Sequence, residues 1–596
     1  MTGGFGSLSW PRAARAALLP CARPAGTIVR PLADRLSPLL LVVTQPNPAL
    51  VTQRDVQRLP RVALWLFCAA YLLPGLFGRD PWKHADITAF GHMLGIARGW
   101  APLLEPSIGG VAAQEGGLLP YWLGAAFIRL LPWLDPAFAA RVPFAMLLGG
   151  VLALTWYSCY YLARTDAAQP LPLAFGGEAQ PVDYARALAD GALLALIATL
   201  GLLQLGHETT PELLQLAGTA LFLYALAAAT AGKPLAPRLA MLIALPLMAG
   251  SGAATLAVLL ALLSLAAALL PHAPAGLRRL RPWTAAACML AIVLATAMQT
   301  WSWRLGWPDS WSSLARMLLW FTWPAWLLAG WTLWRWRGRL QEPHIALPAL
   351  VTLLCLAGSL AMGGSDRALL LALPSLAVLA AFALPTLKRA VSAAIDWFSV
   401  FFFTVLALAM WVIYGAMHTG FPAQTAANVY KLASPGFRPA FSAWALGWAI
   451  AGTLAWLALV RWRTARHQHA LWKSLVLPAS GVALCWLLAM TLWLPVLDQA
   501  RSYRSLVERT SRHIPPAVRC VAAPGASTSL LAALEYFGHY EVHGQPDADK
   551  VSGCRYLVVS LPSRDVAPLR AGWRFIARER ERTINTESLL VYRRNR

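Results

Sequence analysis

Ionisable side chains are scarce in this chain, so the places where they gather are the places to look for chemistry. The first gathering is Gly78-Arg79-Asp80-Pro81-Trp82-Lys83-His84-Ala85-Asp86. Asp80 and Asp86 flank a lysine and a histidine, a set able to take a proton from a hydroxyl and to hold an anion. Lys83 precedes Asp86 by one helical turn, on the same face. Asp80 also suits the N-cap of a helix that begins at Pro81. The second gathering is His207-Glu208-Thr209-Thr210-Pro211-Glu212. Its Thr-Thr-Pro-Glu is good helix-start material, but a histidine and two carboxylates in so short a turn exceed what capping requires. The third is Gly363-Gly364-Ser365-Asp366-Arg367, where Arg367 either reaches lipid head groups or clasps a phosphate with its planar fork. His418, Lys431 and Arg438 add cations in a later loop, of the kind that lies near anionic head groups.

The elements that must position these residues are membrane helices. Of 596 residues, 58% are hydrophobic and 13% charged, against roughly 45–50% and about 25% in soluble domains. With mean hydropathy +0.54, 28 Trp and apolar runs of roughly 17 to 22 residues, the chain reads as polytopic in a hydrocarbon layer about 30 Å thick. The net charge of +23 marks cytoplasmic loops rather than nucleic-acid binding. No aromatic-interleaved basic strand, zinc spacing or helix-turn-helix pattern accompanies it. The eight Cys form no CxxC or CxxH pair and sit mostly inside apolar runs as core residues.

Spans are expected near residues 61–77, 141–163, 187–206, 212–230, 238–249, 253–270, 284–299, 317–334, 345–362, 368–385, 398–414, 443–460 and 475–494, about thirteen crossings. Leu118 to Leu134, interrupted by Pro120, Arg129 and Pro132, reads as an interfacial helix. Arg238 to Leu270 is split at Gly250-Ser251-Gly252. With these choices the basic clusters fall on one side, the cytoplasm, and the three polar gatherings on the other. The fold expected is an all-α polytopic membrane protein. Residues 1–60 read as a disordered cytoplasmic arm, 61–497 as the transmembrane domain with interfacial helices in a first outer loop (78–140), and 498–596 as a small outer α/β domain. In that last domain Cys520 and Cys554, each at the entrance of an expected strand, are either buried thiols or a disulfide.

The layout from residue 60 onward resembles bacterial members of the glycosyltransferase C superfamily, in particular the protein O-mannosyltransferase and lipid A aminoarabinose transferase group. The residues that carry the resemblance are Asp80 with Lys83 and Asp86, Leu118-Leu119-Pro120-Tyr121-Trp122, Glu212, and Arg367 before Leu373-Pro374. The order of these short motifs and their placement carry more weight than any one of them. The sequence departs from the group at two places: Pro81 stands where the family has an acidic residue, and Gly116-Gly117, after Gln114 and Glu115, where it has a lysine.

The resemblance implies a hexosyl- or pentosyltransferase of the bacterial inner membrane, with its N-terminus cytoplasmic and its C-terminal domain periplasmic. It would move a sugar from a polyprenyl-phosphate donor to a lipid, glycan or protein acceptor at the periplasmic face, as in lipid A or cell-envelope glycan modification. A lipid phosphate leaves without a general acid, so one carboxylate and a few cations suffice, and direct displacement inverts the anomeric carbon. On this reading Asp80 is the base and Asp86 or Glu212 orients acceptor or sugar. Lys83 and Arg367 face the phosphate, and His84, His207 and Lys431 complete the substrate contacts. No cofactor is called for with certainty; Asp80, Asp86 and Glu212 leave room for a divalent metal but fix no coordination geometry. Two other classes compete. A transporter or flippase of a lipid-linked substrate would place charges within spans and show an internal repeat, and a catalytically silent scaffold would account for the two departures.

Overall fold

The structure, a computed structural model, describes residues 48–113, 117–173, 176–301, 305–308, 310–432, 437–464, 470–562, 568, 570–580 and 587–595. In hydrocarbon every backbone N–H must be satisfied within its own segment or by a neighbour, so the apolar runs form helices. The long connection after α1 (Arg61–Leu72) holds α2 (Ala85–Arg98), a hairpin of β1 (Ser107–Ile108) and β2 (Val111–Ala112), and α3 (Leu119–Leu130). Next come α4 (Pro136–Ala163), α5 (Pro181–Ala198), α6 (Leu200–Leu205), α7 (Pro211–Thr230), α8 (Ala236–Gly250), α9 (Ala254–Leu269) and α10 (Ala275–Ala297). The second half contains α11 (Trp311–Phe321), α12 (Ala325–Arg335), α13 (Pro343–Ala361), α14 (Asp366–Leu370) and α15 (Leu373–Ala381). It closes with α16 (Arg389–Thr419), α17 (Ala423–Leu432), α18 (Ala443–Thr464) and α19 (Lys473–Thr491).

Among the described residues seven helices, α4, α7, α10, α13, α16, α18 and α19, are long and apolar enough to cross a membrane. Arg61–Leu72, Ala236–Gly250, Ala254–Leu269 and Leu373–Thr386 are shorter apolar segments. Several of the thirteen expected spans are thus interrupted or short among the described residues, and the breaks have local causes. Pro74 and Gly75, the latter at φ 85°, stop the first span soon after Leu72. The third stops at Thr199, the freed Leu200 N–H donating to the Trp323 carbonyl at 3.1 Å. That carbonyl is itself spare because Thr322–Pro324 divides α11 from α12. Two broken helices thus complete each other's backbone bonding.

Residues 49–60, which composition assigns to the disordered arm, are ordered. Ala49, Val51, Val56 and Leu59 are buried, Thr52 bridges Glu178, and the Asp55 carbonyl accepts from the Leu471 N–H at 3.0 Å. The rest of the proposed arm, residues 1–47, lies outside the described residues, as do Gln114, Glu115 and Gly116.

After α19 the chain continues through α20 (Leu494–Arg501) and α21 (Arg504–Ser511), then β3 (Cys520–Ala522), α22 (Thr528–Phe537), β4 (Glu541–His543) and α23 (Ala548–Val551). It ends in β5 (Tyr556–Pro562), β6 (Trp573–Arg580) and β7 (Glu587–Arg594). The strands form one sheet in the order β4-β3-β5-β7-β6, with β3 parallel to β4 and β5 and β7 antiparallel to β5 and β6. Cys520 and Cys554 form a disulfide, their Cα atoms 5.2 Å apart. This domain packs on the connection between α1 and α4 rather than standing apart. Helix α2 crosses α22 so closely that a Cβ on Gly91 would come within 2.6 Å of the Ala532 Cβ, and the Gly109 N–H donates to Glu535 at 3.0 Å.

Candidate active site

The first polar gathering folds into the crevice between the end of α1, the turn before α7 and the start of the C-terminal domain. Asp86, on the first turn of α2, is buried, and its lone pairs are used. Oδ1 accepts from the Thr209 N–H and Oγ1, both at 2.8 Å, and Oδ2 from the Trp82 N–H at 3.0 Å. Arg79 approaches Oδ2 at 3.3 Å. Burial alone would raise the Asp86 pKa, but Arg79 and Arg141 together with those N–H donors outweigh it and hold the group below its ordinary value. Asp86 is thus a permanent anion that ties the first two gatherings together.

Asp80 lies against the C-terminal domain, at 9% exposure. Both its oxygens accept from Arg504 on α21, at 2.8 Å from Nε and 2.6 Å from Nη2. Its backbone N–H points to Asp498 of α20 at 3.4 Å, and Asp498 accepts from the Trp82 indole at 2.9 Å. Burial, and then the neighbouring Asp80 charge, push the Asp498 carboxyl up to about 7. Asp498 thus stands beside Asp80 as a carboxyl that burial makes readier to hold a proton than a solvated one.

Arg79 has a fully buried side chain. Its Nη2 donates to the His207 carbonyl at 2.8 Å and its guanidinium lies 4.7 Å from the Trp82 ring, while Nε and Nη1 have no partner among the described residues. Arg141, on the second turn of α4, is 5% exposed and lines a small cleft with Leu72, Gly75, Leu76, Phe144 and His207. Arg501 donates to Gln204 at 2.6 Å and lies 5.2 Å from the Trp82 ring. Counting Lys83 and Arg504, five cations surround Asp80, Asp86 and Asp498. The crevice carries excess positive charge and unspent N–H donors, a setting for an anionic group.

Several residues singled out from sequence take different places. Arg367 does not offer its fork to the crevice: Glu208 holds Nη2 at 2.7 Å and Glu212 holds Nη1 at 3.4 Å. Burial opposes the Arg367 charge, but the two glutamates outweigh it. His207 sets its ring nitrogens against the Leu203 and Tyr71 carbonyls at 2.7 and 2.9 Å, pinning its turn to the end of α1. Burial, with a smaller push from Arg79, lowers its pKa to about 4, against the pull of those carbonyls. In this structure both ring nitrogens are engaged by backbone carbonyls, so the ring holds its turn in place. Lys83 donates to the Ala500 carbonyl at 3.1 Å and lies 5.3 Å from the Tyr503 ring, a clasp between the entry to α2 and the end of α20. His84, at φ 65°, is exposed at the rim. Lys431 is exposed on α17, which packs on α16, and joins none of these groups.

The carboxylates of Asp80, Asp86 and Glu212 each face an arginine instead of converging. The group with metal-ligand spacing among the described residues is Cys520, His543 and Cys554, whose two sulfurs are already bonded to each other. The departure at Gly117 also has a cause. At φ 140° it lies against the turn between α8 and α9, where a Cβ would come within 2.4 Å of the Ser251 carbonyl carbon. Backbone fills the space that a lysine side chain would need.

Sequence reading passed over Arg141, Asp498, Arg501 and Arg504. Arg141 carried a signal, since an arginine inside an apolar helix is costly and calls for a partner. The other three lie some 420 residues from Asp80 in sequence, as the Arg504 to Asp80 separation of 424 shows, and nothing local announces the contact.

The chain is similar to a crystal structure of ArnT from Cupriavidus metallidurans bound to undecaprenyl phosphate, with TM-score 0.57 and 12% identity over 89% of this chain and 98% of that one. The apo state of the same protein matches with TM-score 0.56 and 14% identity over the same shares. No protein-family model and no curated protein sequence matches the chain. At such identity the likeness carries the fold, and that fold agrees with the glycosyltransferase C resemblance of the sequence motifs.

Proposed function

We propose that the protein is an inner-membrane glycosyltransferase that moves a sugar from a polyprenyl-phosphate donor to a lipid, glycan or protein acceptor at the periplasmic face. The observation that carries this reading is the crevice itself: paired Asp80 and Asp498 beside Arg79 and Arg141, whose guanidinium groups are buried and, in Arg79, partly unspent. The shared fold with ArnT, which was crystallised with undecaprenyl phosphate, supports the donor class.

Arg79 and Arg141 then take the place first given to Arg367, holding the donor phosphate beside the apolar wall of Leu72, Leu76 and Phe144, along which a prenyl chain lies. Asp80 takes the proton of the acceptor hydroxyl. The acceptor oxygen bonds to the anomeric carbon as the bond from that carbon to the phosphate oxygen breaks, and the lipid phosphate leaves with the electron pair. The configuration inverts. For Asp80 to act, Arg504 must swing from it, so acceptor binding and movement of α21 are linked. Asp86 keeps Arg79 in place rather than touching substrate.

The test is sugar transfer by the purified full-length protein in lipid, with native membrane extract as the pool of donors and acceptors, alongside Asp80→Asn. Asp80-dependent labelling of a lipid, glycan or protein supports the reading. Donor binding without transfer in the wild type overturns it in favour of a binding or transport role.

A further inference from the structure

The basic ends of the helices far from Asp80 are not alike. Arg58 is paired with Asp183 at 2.6 Å, and Arg463 with Asp396 at 2.5 Å. By contrast, the turn between α7 and α8 and the start of α10 line an open cavity of about 80 Å³, with the exposed Lys233 and Arg279 and the half-buried Arg238 among its walls. A water molecule needs roughly 10–15 Å³, so the space is several times larger than a single solvent site. No acidic residue lines it, and none of the three cations has a carboxylate partner among the described residues.

The cavity is built by backbone. Helix α10 starts so close to the end of α7 that a Cβ on Gly276 would fall 1.7 Å from the Ala229 carbonyl oxygen. That approach sets the first turns of α10, with Arg279, beside the turn that carries Lys233, and both residues line the cavity. Gly232, at φ 73°, reverses the chain after α7, and the space beside it is open. The Arg238 guanidinium lies 5.6 Å from the Trp283 ring centroid, a contact that orients it. The same helix start exposes Leu235 by 64% and Leu239 by 58%. Helix α7 separates this cavity from the Asp86 crevice by its 20 residues, roughly 30 Å, so the two lie at opposite helix ends.

We propose that Lys233, Arg238 and Arg279 hold the phosphate of an anionic phospholipid, with its acyl chains against the exposed Leu235 and Leu239. Three cations without carboxylate partners around a cavity are the chemistry of a phosphate site. The flanking leucines favour a lipid over a free anion. This assignment stands apart from the transferase reading, because its readout is binding.

The experiment reads thermal stability and lipid retention, by native mass spectrometry, of the full-length protein in neutral phosphatidylcholine nanodiscs titrated with phosphatidylglycerol. The wild type is expected to retain phosphatidylglycerol and to gain a saturable rise in Tm. Lys233→Gln/Arg238→Gln/Arg279→Gln is expected to weaken the apparent affinity at least tenfold, and Arg279→Gln alone to weaken it by a smaller factor should the triple variant not fold. Arg278→Gln, an exposed neighbour outside the cavity, is the charge control and is expected to behave as wild type. An unchanged affinity in the cavity variants overturns the site. An equal Tm rise from inorganic phosphate in neutral nanodiscs overturns the lipid as its ligand.

Discussion

Arg367, at the start of α14, and Arg79, in the connection between α1 and α2, each face a carboxylate, yet they are in opposite states. Arg367 is 26% exposed in its side chain and shared by Glu208 and Glu212, so its charge is spent within the protein. Arg79 is wholly enclosed, shares one carboxylate at 3.3 Å, and leaves two nitrogens without partners among the described residues. Leaving buried donors unpaired costs free energy that a fold normally avoids. The difference teaches that a cation near a site is informative by what remains unsatisfied on it, not by its presence.

That contrast can be broken or sharpened by four measurements. The largest effect is expected from Asp80→Asn, which should lower sugar transfer by about 10²–10⁴-fold, the usual weight of a general base, with Tm little changed; full activity in the folded variant would remove Asp80 from the chemistry. Arg141→Gln, beside Arg79, should raise the apparent KM for the donor by roughly ten- to a hundredfold, as loss of one charge-assisted bond does. Donor kinetics that do not move would return the phosphate to another place.

The third measurement concerns stability against pH. Burial raises the Asp498 pKa from 3.8 to about 7 in the folded protein. Between those values the folded state binds more protons than the unfolded one, so stability falls as pH rises through that window and is level above it. Each pH unit crossed within the window costs at most about 1.4 kcal/mol. Tm measured from pH 4.5 to 8 should show the fall in wild type and a flatter course in Asp498→Asn. An identical slope in both would mean that Asp498 is charged throughout. The smallest effect is expected from Arg367→Gln: donor KM within about threefold of wild type, since its bonds are internal, with a lowered Tm because Glu208 is left buried and unpaired. A change in KM as large as that of Arg141→Gln would erase the distinction between the two arginines.

Much of the architecture was legible from sequence. The apolar segments mark where helices form, Gly250-Ser251-Gly252 does end one helix before the next, and the stretch after Leu494 does fold as a sheet with helices. Strand β4 escaped notice because Glu541–His543 is too short and too polar to show alternation. Of the site, Asp80 and Asp86 stood out because carboxylates are rare here. Arg367 stood out as a cation beside a polar turn, but charge type says nothing about the neighbours, Glu208 and Glu212, that hold it.

Composition and periodicity determined that this chain is a membrane protein with a small mixed domain at its end, because the cost of exposing backbone and charge to hydrocarbon leaves few alternatives. Local spacing determined which short turns hold the acids. Only the tertiary structure decided that Arg504 covers Asp80, that Asp498 shares its crevice with Trp82, and that Glu208 and Glu212 consume Arg367. Those pairings join residues from 155 to 424 positions apart. They depend on ångström-scale approach, and electrostatic and hydrogen-bond energies are steep in distance and burial, whereas a linear sequence records neither.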